Sequence, residues 1–407
     1  MTSLHRMTWN RCPAMPSVRA RRLTISVISF VAMGFAPHAA ETQTPAAGVS
    51  LSFGVDTSIV EVREIVRLTR AYLANPDSSS RSRGLWSTAS AFDARHGDLA
   101  TEAYQGFPAT ILGVTGTGPG DSVFVVRVIH ATADSSRKQT GVLALQRLHA
   151  VRAPGSPYGW QLSSPLPRLT RGWSRRDDGR LTFWYAPGLT QSPEKARRAS
   201  GFVDSVAKLF NVPPPERLDA YMTGTIAEGL SLLGLDFFPE NSGPGTGFGG
   251  RGGGAGILLL GDPRVGEAYL HELVHAVLSP TVESRNSIFG EGVAVWLGGS
   301  GERSLRQMYS VLRDYQRAYP GVSVSGILDG DVPGGYDAVA ALYATRGLIV
   351  ESIYRRAGID GLRRFALISG PASEVIKSLP EFIDTIGGDV DSWWRTETEA
   401  ALNRLPF

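Results

Sequence analysis

Apolar and polar positions along the chain fall into two regimes. Over residues 58–75 the apolar side chains recur at helical spacing, with Ile59, Val62, Ile65, Val66 and Leu68 as the marks of one stripe, and this predicts an amphipathic helix. A polar linker follows over 76–83. The pattern then changes to β segments over 107–114, 122–132, 141–151 and 159–164, parted by Gly-Pro-Gly, Ser-Ser-Arg-Lys and Pro-Gly-Ser-Pro turns.

In the second regime strands and helices alternate. Residues 181–185 predict a strand, Ser192-Pro193-Glu194 opens a helix running to about 210, 217–222 is a strand, 226–233 a short helix and 256–261 a strand. A helix is expected over 262–279, with Asp262 as its cap, Pro263 at its first position and Pro280 as its stop. Ala268, Leu270, Leu273, Val274, Val277 and Leu278 cover most of its circumference, so it should be buried. The run from Phe289 to Leu297 predicts a short apolar helix closed by Gly298 and Gly299, with Glu291 in its first turn. Only helices are expected afterwards, over 301–319, 335–357 and 361–369, and in a last segment through Trp393, Trp394 and Leu402. The fold class is α+β: a helix and curved antiparallel sheet first, then a mixed sheet, a central helix and a helical lobe.

The central helix carries the chemistry. His271 and His275 stand four residues apart, one above the other on a helix, so both imidazoles can grip one metal ion, and Glu272 lies between them. Buried imidazoles in an apolar setting need partners. Glu291 offers a third donor, and three protein ligands leave a fourth position open for water, as in a catalytic site.

HELVH followed by an EGxAxW segment after fifteen intervening residues resembles the gluzincin metallopeptidases, the thermolysin-like and aminopeptidase-like group that includes the peptidase MA-like families. The resemblance implies that His271, His275 and Glu291 bind Zn2+. It makes Glu272 the general base acting on a zinc-bound water, with a peptide or protein as substrate. It further implies that 176–407 form the catalytic domain and that the strand over 256–261 lines the cleft and pairs with an extended substrate. Tyr343 begins a segment that resembles the helix after the third ligand in peptidase MA-like proteins, which makes it the candidate donor to the oxyanion, with Tyr336 as competitor. Several gluzincins place an acidic residue one turn after the third ligand to orient a histidine. Here that position is Val295, so another carboxylate or a backbone carbonyl must serve. No GxMEN segment is present, which favours an endopeptidase. The alternative is a noncatalytic gluzincin-fold protein that recognises a partner through its first half; the intact set of His271, Glu272, His275 and Glu291 weighs against it.

Residues 41–175 are read as an accessory domain. A leading helix followed by a curved sheet resembles the cone-shaped nuclear transport factor two-like fold, also seen in SnoaL-like proteins. Asp93, His96, His130 and His149 fall in it without ligand spacing, and the histidines read as satisfied or exposed. The glycine-rich stretch over 241–256 contains a formal GxGxxG, but it lacks the βαβ context of a nucleotide site. A mobile rim over the groove is expected there, with Arg251 as solvated charge.

Arg19, Arg21 and Arg22 precede an apolar stretch over 23–36 with small residues behind it, which predicts a secretory signal peptide over 1–40 and a secreted or periplasmic protein. An uncleaved membrane anchor is the alternative. Residues 1–40 hold five arginines and no acids, so the formal charge of +3 becomes about −2 without them, with 36 basic against 38 acidic side chains. The basicity belongs to the leader, and no basic stripe with interleaved aromatics speaks for nucleic acid. The single cysteine, Cys12, lies in the leader as well, so disulfides do not hold the mature chain.

Overall fold

The alternation over the first half builds a sheet. In the computed structural model, which describes residues 48–74, 84–96, 108–118, 122–134, 139–237, 250–252, 256–330, 332–384 and 389–405, β1 (Ser50–Leu51) runs parallel to β2 (Ala109–Gly116). Residues 1–40, expected as a signal peptide, the 76–83 segment expected as a linker, and most of the glycine-rich stretch lie outside the described residues. β2, β3 (Val123–Asp134), β4 (Gln139–Arg152) and β5 (Trp160–Ser163) then pair antiparallel in chain order. Helix α1 (Val60–Leu73) buries Val62, Ile65, Val66 and Leu68 in one core with Ile111, Val126, Leu148 and Leu162. Ile59, expected on that stripe, is instead the residue before the helix and is 48% exposed. A further turn, α2 (Ala91–His96), brings Asp93 under the sheet.

The second sheet takes β6 (Ser174–Asp178), β7 (Leu181–Tyr185), β8 (Leu218–Met222), β10 (Gly250–Gly252) and β11 (Ile257–Leu260), in the order β10-β11-β8-β7-β6. Its three inner strands are parallel and its two outer pairings antiparallel, the mixed sheet expected. The parallel step from β7 to β8 needs a crossover, and α3 (Pro193–Phe210) supplies it. Ser192 caps it by accepting from the Lys195 N–H at 3.3 Å, and Asn211 ends it in the left-handed conformation at φ 49°. Helix α4 (Ile226–Leu232) starts on a capping box of Thr225 and Glu228.

The strands depart from the sequence reading in two places. After α4 the chain leaves its own sheet, and β9 (Leu235–Phe237) pairs with β4 of the first sheet. The Arg147 N–H donates to the Gly234 carbonyl at 2.6 Å, and the Arg147 guanidinium meets Asp236 at 2.9 Å. The other departure concerns β11, expected to face an extended substrate. The end of the glycine-rich stretch turns back as β10 and pairs with β11 antiparallel, so the sheet edge belongs to β10.

Beyond β11 the chain is helical: α5 (Leu270–Leu278), α6 (Ser287–Gly298), α7 (Leu305–Ala318), α8 (Val324–Asp329), α9 (Tyr336–Ala366), α10 (Ala372–Lys377) and α11 (Val390–Arg404). α9 consists of two helical stretches that meet at Gly358, which is not helical at φ 63°, ψ −162°, so the two helices expected over 335–357 and 361–369 are both present, the second starting nearer the kink and ending at Ala366. Trp393 and Trp394 dock α11 as expected, and the Trp394 indole N–H donates to Thr345 on α9 at 3.2 Å. Among the described residues no helix is long and apolar enough to cross a membrane.

Candidate metal centre

The helix that carries both histidines is shorter than its sequence suggests. Residues 262–265 form a turn in which Asp262 accepts from the Arg264 N–H at 3.0 Å, a short 3-10 turn covers Gly266–Ala268, and α5 begins only at Leu270. Gly266 at φ 66° breaks the helical path, so Asp262 and Pro263 do not serve as cap and first residue. The change leaves His271 in the first turn and His275 one turn later.

Helix α6 is held at its start by Asn286. Its side-chain oxygen accepts from the Phe289 N–H at 2.8 Å, and its amide donates to the carbonyls of Phe365 and Ile368, both at 2.9 Å, tying α6 to the end of α9. Glu291 is the fifth helical residue, in the second turn, and buried. Two glycines then set how closely the three helices approach. A Cβ on Gly298 would lie 2.5 Å from the His271 backbone nitrogen, and one on Gly292 would lie 2.5 Å from the Arg346 carbonyl oxygen on α9. Only hydrogen fits at those contacts.

This packing answers the question left by Val295. Gly299 follows the end of α6 at φ 74°, and its carbonyl accepts a hydrogen bond from His271 Nδ1 at 3.0 Å. A carbonyl can only accept, so Nδ1 carries a proton, which leaves Nε2 as the nitrogen whose lone pair would serve a metal ion. Gly298→Ala, by pushing α6 off α5, should loosen that bond and lower metal affinity roughly 10–100-fold, the usual effect of losing a partner that orients a ligand. Competition against a chromophoric chelator measures it; unchanged affinity would show that the close approach is not needed.

His271, His275 and Glu291 each direct one ligand atom to a common point, with all three atoms within 4.8 Å of one another. The two Nε2 atoms are 3.3 Å apart, Glu291 Oε2 is 3.2 Å from His271 Nε2, and Oε1 is 3.6 Å from His275 Nε2. Bonds of about 2.0–2.2 Å from zinc to nitrogen and oxygen imply tetrahedron edges of roughly 3.3–3.6 Å, so the spacing fits a zinc ion. The donor set fits as well, since two imidazole nitrogens and a carboxylate face one another and need a cation or a proton between them. Burial alone would raise the Glu291 carboxyl, yet hydrogen bonds from His271 and His275 and their charge hold it well below the usual carboxylate range. Burial opposes charge on His275 too, and the Glu291 bond and charge, helped by Glu272, outweigh it and lift His275 to about 9. In the metal-free protein a proton thus takes the place of a cation.

Glu272 is buried on the same helix and within electrostatic range of His275, but it forms no hydrogen bond to any described residue and contributes no atom to the converging trio. The ring of Tyr343 on α9 lies 6.0 Å from that of His271. Burial first, then the Glu291 carboxylate, push its hydroxyl well above the ordinary phenol range, so it stays protonated and can donate. Tyr336 opens α9, and its side chain lies outside the described residues. Beside His275 is a small, mostly apolar hollow lined by Val274, Leu278, Val282, Phe289 and Val293, with Ser279 and Ser284 as its polar part. Sequence reasoning passed over Arg346, one turn beyond Tyr343. Its guanidinium sits 5.8 Å from the Tyr343 ring centre and is buried.

Among the described residues, the polar side chains Asp93, His130 and His149 of the first half form no metal-binding cluster. Asp93 accepts from the Ser90 and Ser163 hydroxyls, both at 2.8 Å, and from the Ser164 N–H at 2.9 Å, and His130 bonds Gln146 at 2.9 Å. His149 is held neutral, its pKa lowered to about 4 by burial and then by Arg168 and Arg147. The His96 side chain lies outside the described residues.

No family model matches the sequence, and no curated protein does. Among solved structures the chain is similar to an M1 zinc metallopeptidase from Deinococcus radiodurans, as a mutant bound to a Tyr-Ser-Ala substrate, at 12% identity and a TM-score of 0.32 over 74% of this chain and 66% of that one. A two-domain M1 zinc metallopeptidase mutant bound to L-tryptophan matches at 11% identity and a TM-score of 0.27, over 72% of this chain and 64% of that one. This chain thus spans about two thirds of their length. Its chemistry has to be read from its own side chains.

Proposed function

We propose that the protein is a zinc-dependent peptidase of gluzincin type that hydrolyses peptide bonds. The observation that carries this reading is the convergence of His271, His275 and Glu291 at tetrahedral spacing, with an unbonded carboxylate, Glu272, beside them. His271 and His275 would hold zinc through Nε2 and Glu291 through its carboxylate, leaving one coordination position open. Bound there, zinc would supply Lewis acidity to water and to the scissile carbonyl. Glu272 takes the proton from the attacking water and returns it to the departing amine nitrogen. The Tyr343 hydroxyl donates to the carbonyl oxygen as it gains negative charge. We further infer that residues 1–40 direct secretion, that 41–175 form an accessory module of cone-like architecture, and that 176–407 form the catalytic domain. The test is hydrolysis of a mixed peptide library by the purified mature protein. Activity should vanish on chelation and return with zinc at about one ion per chain, whereas a protein that never takes up zinc would favour the binding-protein alternative.

A further inference from the structure

Arg346 is a charged group beside the site whose chemistry the peptidase reading leaves unused. Its side chain is 93% buried, since it retains 7% of its exposure, and its Nε has no hydrogen-bond partner. None of its other N–H groups forms a hydrogen bond or ion pair with a described residue. Guanidinium stays charged at any working pH and carries five donors in a planar fork, so burying it without an acceptor is costly unless a ligand provides one.

Its position is fixed by the same close packing that builds the metal centre. The Arg346 carbonyl rests against Gly292, the residue after Glu291, and a Cβ on the following Gly347 would lie 2.7 Å from Val295 Cγ1. With the backbone clamped to α6, the guanidinium lies over the face of the Tyr343 ring, whose other neighbour is the His271 imidazole. Glu291 acts on Arg346 at a distance, but its two oxygens are turned to the imidazoles: Oε2 is 3.2 Å from His271 and Oε1 is 3.6 Å from His275. Once those oxygens serve a divalent ion their charge is spent, and the local balance becomes positive. No acceptor is left for it among the described residues, and one carried by a ligand would complete the site.

We propose that Arg346 is a specificity-determining residue of this site, anchoring a carboxylate carried by the peptide close to the scissile bond. The proposal rests on the peptidase reading for the word substrate, but not for the binding itself. A bidentate guanidinium–carboxylate pair is the arrangement that satisfies two donors at once. The carboxylate has two possible sources, a free peptide C-terminus or an acidic side chain, and each calls for its own ligand pair.

The test is calorimetric binding to the zinc-loaded Glu272→Gln protein, which should hold peptide without turning it over. One pair is N-acetyl-trialanine and its C-terminal amide. The other is an amidated peptide containing glutamate and its glutamine counterpart. In one pair the anionic member should bind roughly 10–100-fold more tightly, the usual worth of a charge-assisted bond. Adding Arg346→Gln should erase the difference and Arg346→Lys should restore part of it, with zinc content and melting temperature checked alongside. Equal binding within both pairs, or a preference that survives Arg346→Gln, would overturn the proposal. If the glutamine variant does not fold, the two pairs and the lysine variant still decide. Turnover of the same peptides by the unaltered protein separates the two readings: a carboxylate preference without hydrolysis sinks the peptidase reading alone, and hydrolysis without preference sinks only this one.

Discussion

Glu272→Gln should lower peptide hydrolysis by about 10³-fold while zinc content stays at the wild-type level, because positioned proton transfer contributes 10²–10⁴-fold in such reactions. The split between activity and metal content is the informative part. Glu272 stands outside the trio of converging atoms, so its loss removes a proton acceptor and no ligand. Glutamine keeps the size and the buried position and cannot take the proton. Steady-state kinetics together with metal analysis would decide it. A variant that loses its zinc would move Glu272 into the coordination sphere, and one that keeps full activity would remove it from the mechanism.

Glu291→Gln should have the opposite signature, with zinc lost first. A neutral amide replaces the only anionic member of the trio, and the drop in affinity should exceed the 10–100-fold typical of losing an outer partner. The metal-free protein offers a second readout. Burial lowers His275, and only Glu291, aided by Glu272, lifts it to about 9, so the variant's His275 should titrate near or below the ordinary imidazole value of about 6.5. The sign of the accompanying stability change follows. A histidine raised by folding stabilises the native state fully below its unfolded pKa and loses that contribution as pH rises through its folded value. Metal-free wild type should therefore lose stability between about pH 6.5 and 9, and the variant should lack that slope. Histidine titration by NMR and melting curves across that range measure both, and an unchanged His275 titration would detach it from Glu291.

The converging trio was legible because its signal is local: imidazoles four positions apart on a helix, and a carboxylate in the next apolar helix. The strands from Leu181 to Tyr185 and from Ile257 to Leu260 were legible for the same reason, as short apolar runs between turn residues. The start of α5 was misplaced because Asp262 and Pro263 carry good capping chemistry, while the break lies at Gly266, whose positive φ has no sequence mark apart from the glycine itself. The partner of His271 was out of reach, since Gly299 contributes a backbone carbonyl that any residue possesses. Arg346 did leave a trace. It is a lone charge in the run Ala344 to Val350, three residues from Tyr343, and only the packing of α9 on α6 shows that it faces a site rather than water.

Strand β9 carries a consequence for how the chain can be handled. Leu235 and Phe237, from the second half, are in register with Gln146 and Leu145 of the first, and Arg147 fastens the exchange through Gly234 and Asp236. A cut near residue 175 would strip backbone donors and acceptors from both fragments and leave sticky ribbons seeking any similar segment. The pieces are better regarded as interlocked than as beads on a string.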